Sequence, residues 1–392
     1  MKKKLLLMLP MLHQGGFERV AVATARLLAN DFDVALCIFS DKNIHYDVSG
    51  LEIINLNVPS KKSRLRKVCN VILRAYRAAR VKKTRAIDIT YSFGNTANLV
   101  NIFSRGGDRI VTGFRCATDL ENPWLVRQCI RRSDLVISCS EEIRALLKRD
   151  FACEHAAVVE NPLDVADIRK KAGEGEILRK DGTFVLVTMG RDDAIKSHWH
   201  MIKAFSLVLK THPEARLKII GAGSYENYHR LADDLGVADR IEFTGNLKNP
   251  FPEVSAADLY VLPSNREGFP NAMIEAMALG RPVIAADCRT GPREIALSDS
   301  EQAALYETVS PGCSIPETIE GTYAVLVPDM SAVIDLDPQH IEDGERVLAE
   351  EIVKMIENDA RREHYGRQSL LRAESFSPEA YLQKLRRELE ER

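Results

Sequence analysis

No stretch of the 392 residues holds the roughly 18–20 consecutive apolar positions that a membrane-spanning helix needs. No secretory leader is expected either. MKKKLLLMLPMLHQGG sets lysines before an apolar run of about eight residues, short for a signal and interrupted by Pro10. The run ends on Gly15 and Gly16 instead of a small-residue cleavage site, so it reads as a buried first strand. The eight cysteines (37, 69, 116, 129, 139, 153, 288 and 313) lack metal-type or redox-type spacing and read as reduced, mostly buried thiols. The nine histidines are dispersed, and His198 and His200 would point to different sides of a helix. No metal is expected. A net charge of −2 excludes a globally basic nucleic-acid binder. No G-x-G-x-x-G follows the first strand, which argues against a nicotinamide or flavin dinucleotide.

What is present is an ordinary globular composition, 45% hydrophobic and 28% charged, in a chain long enough for two cores. Short apolar runs alternate with helical patterns, which argues for parallel sheets covered by helices. KLLLMLP, FDVALCIFS, IDITYSF, RIVTGF and DLVISCS read as the strands of a first series. TFVLVTMG, RLKIIGAG, RIEFTG, DLYVLPS and RPVIAAD form a second. The polar stretch 170–182 between them reads as a linker. Two doubly wound α/β domains facing a central cleft follow, with ligands outside the carboxyl ends of the strands.

The densest signal is SNREGFPNAMIEAMALGRPVIAAD, a strand exit, a polar turn and a helix that opens near Pro270 and stops at Gly280. Glu267 falls in the turn and Glu275 inside the helix, about 80° apart in angle if both were helical. A turn carboxylate can reach a sugar hydroxyl, and the deeper one can accept from a ribose diol. Free amides at the helix start favour a phosphate. The plainer alternative is a solvated Glu267 and a surface Glu275, yet an unpartnered carboxylate in so apolar a helix is costly to bury. Gly190, Arg191 and Lys196 follow the first strand of the second series, where a guanidinium fork and a point charge suit a diphosphate. An ordinary basic loop is the alternative there, and Asp192 and Asp193 bring negative charge to the same loop. Gly15 and Gly16 let backbone approach a ligand at the first turn, or simply make that turn tight. Glu18 and Arg19 bind each other, contact an acceptor, or are helix-surface charge. Arg115, Asn95 and Asn98, each after a strand, are placed to line the cleft from the first domain. Gly221 and Gly223 let the next helix approach a nucleotide.

EGFPNAMIEAMALGRPVIAAD followed by TGPREI resembles the donor-binding signature of the retaining glycosyltransferases of family 4, which have the two-domain GT-B fold. GGFERVA, NPLD (161–164), GRDDAIK (190–196), IIGAGS (219–224) and FTGN (243–246) fall in that family's order, so the resemblance covers most of the chain. It implies Rossmann-like domains over 1–172 and 180–375, with a helix over 376–392 packing back on the first. It also implies that Glu275 holds the ribose and Glu267 lies by the transferred sugar, with Gly268, Phe269, Pro270 and Asn271 around the donor. Gly245, Asn246 and Leu247 would sit near the base, and the Gly15–Gly16 loop near the donor phosphate. The implied reaction is retaining transfer of a hexose or N-acetylhexosamine from a nucleotide sugar, a UDP-sugar foremost, to a lipid-linked or polysaccharide acceptor hydroxyl, without cofactor or metal. Two departures stand out. Ser197 follows Lys196 where the family usually has glycine, and no histidine matches the one near the reacting sugar. A sugar-nucleotide epimerase of the same fold and a non-catalytic nucleotide-sugar scaffold are the competing readings.

The run 61–85 holds eleven Lys or Arg and no acid. Leu65, Cys69, Ile72, Tyr76 and Ala79 form an apolar stripe at helical spacing. A basic amphipathic helix predicts peripheral contact with an anionic membrane on its cytoplasmic side; packing on its own domain is the alternative, and a nucleic-acid patch lacks interleaved aromatics. After TGPREI the stretch 298–322 is longer than the family pattern, a lid, an acceptor-selecting loop or an inert insertion.

Overall fold

The computed structural model describes residues 2–13, 15–42, 44–59, 63–175 and 182–390. Residues 61–62 of the basic run and 176–181 of the expected linker lie outside the described residues. The chain divides into one unit of Met1–Pro162 with Pro378–Arg392 and a second of Leu163–Ser377.

In the first unit the strands β1 (Lys4–Leu9), β2 (Asp33–Ile38), β3 (Glu52–Asn55), β4 (Ile89–Phe93), β5 (Arg109–Phe114), β6 (Leu135–Ser138) and β7 (Ala156–Val158) form a parallel sheet. Their order is β3-β2-β1-β4-β5-β6-β7. Side chains alternate between faces along a strand, so LLLML is buried twice over. Leu5, Leu7 and Leu9 pack with Val20, Ala25 and Leu28 of the helix Gly16–Leu28 and with Tyr381, Leu385 and Leu389 of the last helix, Pro378–Glu390. Leu6 and Met8 pack on the other face with Cys37, Ala78, Ala97 and Val100.

The second unit repeats the plan with β8 (Val185–Met189), β9 (Arg216–Ile220), β10 (Ile241–Gly245), β11 (Leu259–Leu262), β12 (Val283–Ala286), β13 (Ile319–Glu320) and β14 (Val325–Val327). Their order is β10-β9-β8-β11-β12-β14-β13, parallel except for the short edge strand β13. The order reverses between β8 and β11, which are paired neighbours. The loop after β8 therefore lies beside the loop after β11, the switch-point position where such sheets bind ligands.

The units divide after Pro162, before the helix Val165–Ala172, whereas the linker reading placed the division after that helix. The reason is packing. Leu163 N donates to Phe376 O at 2.7 Å, and Arg169 Nε donates to Ala278 O at 3.0 Å, tying the helix to the second unit. The 298–322 stretch is built into that unit as well. Ser298 and Glu301 cap the helix Asp299–Tyr306 reciprocally, and Glu301 also accepts from Thr322 Oγ1 at 2.8 Å. A buried Arg293–Asp287 pair holds the stretch from beneath, Arg293 donating to Cys313 O at 2.6 Å and Asp287 accepting from Ile315 N at 2.8 Å. Among the described residues, no helix is long and apolar enough to cross a membrane.

Candidate functional site

In the second unit Lys196 and Glu267 meet. Lys196 Nζ lies 2.6 Å from Glu267 Oε1, and both side chains are largely buried. They converge because the loops after β8 and β11 are tied together: Asn265 N donates to Ile195 O at 3.0 Å. Thr290 Oγ1 donates to Glu267 O, and Gly291 closes in so far that a Cβ there would sit 2.7 Å from Gly268 O. Four residues of the signature take their places around this turn. Gly268 is buried in it, Phe269 stacks edge-on against Phe376 at 5.1 Å, Pro270 is the N-cap, and Asn271 opens the helix Asn271–Ala278. No side chain caps that helix start, which leaves its first amides toward the turn.

Glu275 is buried within the helix. It and Glu267 both bear on the fully buried Tyr260, whose phenol is pushed well above its ordinary range by burial and then by the two carboxylates. Both glutamates thus act on one side chain, Glu267 from the turn and Glu275 from the helix, so no helical angle relates them.

The 190–196 loop is braced from the side of β9. Tyr225 Oη donates to Gly190 O at 2.6 Å, and Tyr225 N donates to Asp192 Oδ2 at 3.0 Å. Asp192 is thereby used in loop bracing, and Asp193 accepts from Ile195 N and lies 3.6 Å from the exposed Arg191. Gly221 and Gly223 serve this brace. A Cβ on Gly221 would lie 2.0 Å from Gly190 O, and one on Gly223 would lie 2.0 Å from Asp192 Cβ. Gly245 O accepts from Gly221 N at 3.0 Å, and Asn246 and Leu247 follow it, exposed and half-buried respectively.

His198 was not foreseen here. Its ring is fully buried, Nε2 sits 3.1 Å from Arg191 O, and burial draws its pKa down to about 4. A neutral imidazole therefore supports the loop that carries the two cations. Ser197 adopts left-handed backbone, φ 50°, which explains why glycine suits that position in the resembling family. The sequence signal for His198 and Tyr225 was only proximity to a glycine-bearing loop.

In the first unit Gly15 bonds Tyr46 Oη through both its N (2.9 Å) and its O (2.5 Å), and Gly16 begins the helix. Glu18 folds back over Gly15, so close that a Cβ there would meet its Oε2, while Arg19 is exposed. Asn95 is half-buried and donates to Asp119 O at 3.3 Å. Asn98 is not a lining residue: fully buried, it accepts from Ser92 Oγ and donates to Gly113 O, both at 2.8 Å, stitching β4 to β5. Arg115 is buried with its guanidinium 5.3 Å over the Phe93 ring, and neither Nη1 nor Nη2 has a hydrogen-bond partner. Among the described residues, no group of three or more His, Cys, Asp or Glu side chains converges to hold a metal ion.

Two seven-stranded doubly wound units, with a lysine–carboxylate pair at the second switch point, define the GT-B class of glycosyltransferase folds. Residues 183–323 match the family Glycosyl transferases group 1 and form a domain of it. An uncharacterized glycosyltransferase of Methanocaldococcus jannaschii is 29% identical over 262 residues, 63% of this chain and 61% of that one. The chain thus matches less than two thirds of the archaeal protein's length. The N-acetylgalactosamine-N,N'-diacetylbacillosaminyl-diphospho-undecaprenol 4-alpha-N-acetylgalactosaminyltransferase of Campylobacter jejuni is 27% identical over 314 residues, 76% of this chain and 84% of that one. The crystal structure of Anabaena HepE in complex with UDP and glucose has a TM-score of 0.74 to this fold at 18% identity, covering 100% of both chains.

Proposed function

We propose that the chain is a retaining, metal-independent glycosyltransferase that moves a hexose or N-acetylhexosamine from a UDP-sugar to a hydroxyl of a lipid-linked glycan, working at the cytoplasmic face of a membrane that it contacts through 61–85. The observation that carries this reading is the Lys196–Glu267 pair beside an amide-terminated helix bearing the buried Glu275. The HepE complex with UDP favours a uridine donor, and the Campylobacter transferase, by its name, favours a polyprenyl-diphosphate acceptor.

In the proposed reaction Glu275 accepts from the ribose diol and the helix amides face the diphosphate. The acceptor oxygen bonds to the anomeric carbon on the face from which the diphosphate leaves. The bond from that carbon to the diphosphate oxygen breaks, and the acceptor proton passes to the leaving diphosphate. Arg191 and Lys196 offset the charge that develops there, and Glu267 both positions Lys196 and meets the sugar hydroxyls. Arg115, its terminal nitrogens lacking partners, is the first unit's contact for an acceptor or phosphate oxygen. Asn95, Glu18 and Arg19 remain acceptor-side candidates.

The test is nucleotide release and sugar transfer over UDP-, GDP- and ADP-sugars, with and without a lipid-diphosphate glycan, for wild type, Glu275→Ala and Lys196→Ala. Acceptor-dependent release of one nucleotide, reduced in both variants, is expected. Conversion of donor without acceptor would make the protein an epimerase. Donor binding without turnover on any acceptor would make it a scaffold.

A further inference from the structure

The helix Arg64–Arg85 buries Ala75 and Ala78, with Val71 and Val81 partly buried against the same core, yet its opposite side is apolar too. Its inner face buries Asn70, Arg74 and Lys82, while Val68 (61% exposed), Ile72 (64%), Leu73 (40%) and Tyr76 (68%) face out. Of the stripe read from the sequence, Cys69, Ile72 and Tyr76 are on this outer side, Ala79 is half-buried, and the side chain of Leu65 lies outside those described. The inner polarity has a cause. Residues 56–59, leaving β3, run along the helix with carbonyls that need donors, and the helix supplies them. Arg77 reaches Leu56 O, Arg74 reaches Val58 O through Nε and Nη2 (2.9 and 2.7 Å), and Asn70 reaches Pro59 O at 2.8 Å. Lower down, Lys82 pairs with the buried Asp108 at 2.9 Å and donates to Asn101 Oδ1 at 2.7 Å. The inner face is fully employed, and the outer apolar face is left uncovered.

The neighbouring helices extend this surface. Arg64–Arg85 packs on Asn95–Ile102, which packs on Pro123–Arg132. The first holds nine Lys or Arg, the second none and the third three, and no Asp or Glu occurs on any of them. Among the described residues, every exposed large hydrophobic side chain of the first unit belongs to this layer: the four above, Phe103 capping the middle helix, and Trp124 on the third. Arg80, Lys83, Arg127 and Arg131 are exposed among them.

We propose that this three-helix layer is a surface for an anionic lipid bilayer, with Val68, Ile72, Leu73 and Tyr76 entering the interface and the flanking cations meeting lipid phosphates. Charge complementarity selects the occupant. The cations are spread over separate helices without an acid to fix a partner's register, which suits a fluid array of headgroups better than one protein epitope. Apolar insertion and basic attraction are each weak alone and bind stably together. The apolar half of Arg64–Arg85 stands at the carboxyl ends of the strands, since its other end reaches the start of β1, where Lys4 Nζ donates to Arg85 O at 2.9 Å. The inference deepens the lipid-linked acceptor of the proposed function but stands on the surface alone.

The experiment is flotation of the full chain with phosphatidylcholine vesicles, with and without phosphatidylglycerol, at low and high salt. Wild type is compared with the double variants Ile72→Glu/Tyr76→Glu and Arg80→Glu/Lys83→Glu, after thermal unfolding shows each folded. Wild type should float with the anionic vesicles, far less with the zwitterionic ones, and be released by salt; each variant should partition roughly ten-fold less. Transfer to a short-chain, water-soluble acceptor should be unchanged in both. Wild type that ignores anionic vesicles overturns the proposal, as do variants that bind as well as wild type. A dimer or protein complex lost in Ile72→Glu/Tyr76→Glu, without vesicle binding, assigns the face to a protein partner and also overturns it. Salt-sensitive flotation of a chain that transfers no sugar supports the surface while removing the transferase reading.

Discussion

The glutamate inside the signature helix and the lysine facing the signature turn should fail in different ways. In the proposed reaction Glu275 holds a part of the donor that does not change, so Glu275→Gln should raise the donor KM roughly ten- to a hundred-fold and lower kcat less. Lys196 is proposed to offset charge that grows as the bond breaks, so Lys196→Ala should lower kcat on the order of a hundred-fold or more. Steady-state kinetics with a single donor separates the two. His198 gives a pH signature. Burial holds its folded pKa near 4, below the unfolded value of about 6.5, so the stability it contributes is present above the unfolded value and lost as pH falls toward 4. His198→Gln should flatten that loss by ~2–3 kcal/mol between those limits, read from urea unfolding at each pH. Asp119 and Asp329, pushed up by burial to about 6 and about 7, act oppositely, their contribution fading as pH rises through those values. The comparison of variant with wild type cancels them.

At the scale of elements, the loop after β8 carries a local cost. Ser197 holds left-handed backbone without being glycine, so Ser197→Gly should stabilise the second unit by ~0.5–1 kcal/mol, measured by thermal unfolding, with the Lys196–Glu267 geometry kept. The basic helix is pinned differently. Lys82 and Asp108 are both fully buried and paired, so Lys82→Ala should cost about 3–5 kcal/mol by leaving the carboxylate without its cation, again by urea unfolding. Ten strands were legible as apolar runs; β3, β7, β13 and β14 were not. β3 is partly exposed along its whole length, β7 is only Ala156–Val158, and β13 and β14 are two and three residues long, too short to show a pattern. Short or half-exposed strands lack the alternation that sequence reading depends on. The signature glutamates were legible, because a carboxylate in an apolar helix contradicts its surroundings. Tyr225, His198 and Thr290 were not, because their bonds go to backbone carbonyls that only the folded loops bring within reach.

At the scale of the molecule, the chain leaves its first unit at Pro162 and returns at Pro378. The returning helix fills a real gap: Tyr381, Leu385 and Leu389 are buried against the first sheet, Tyr381 Oη meets Thr24 Oγ1 at 2.5 Å, and Arg109 reaches Leu389 O at 2.7 Å. Each such side chain contributes about 1.5–3 kcal/mol on burial, so a chain ending at Ser377 should lose its first unit's cooperative unfolding while the second retains its own. Calorimetry of the truncated chain, together with donor binding, checks both halves of that expectation.

The sequence by itself determined the elements that depend on local pattern: the buried parallel strands, the helix carrying Glu275, the turn carrying Glu267 and the basic run. Their residue types and spacing admit few other structures. Only the tertiary structure decided which of these meet. β8 and β11 become neighbours through crossovers that no local pattern records, and that neighbourhood sets Lys196 against Glu267. It also decided which donors of the basic helix are buried, because Asn70, Arg74 and Arg77 meet carbonyls of residues 56–59 that no periodicity in the helix records.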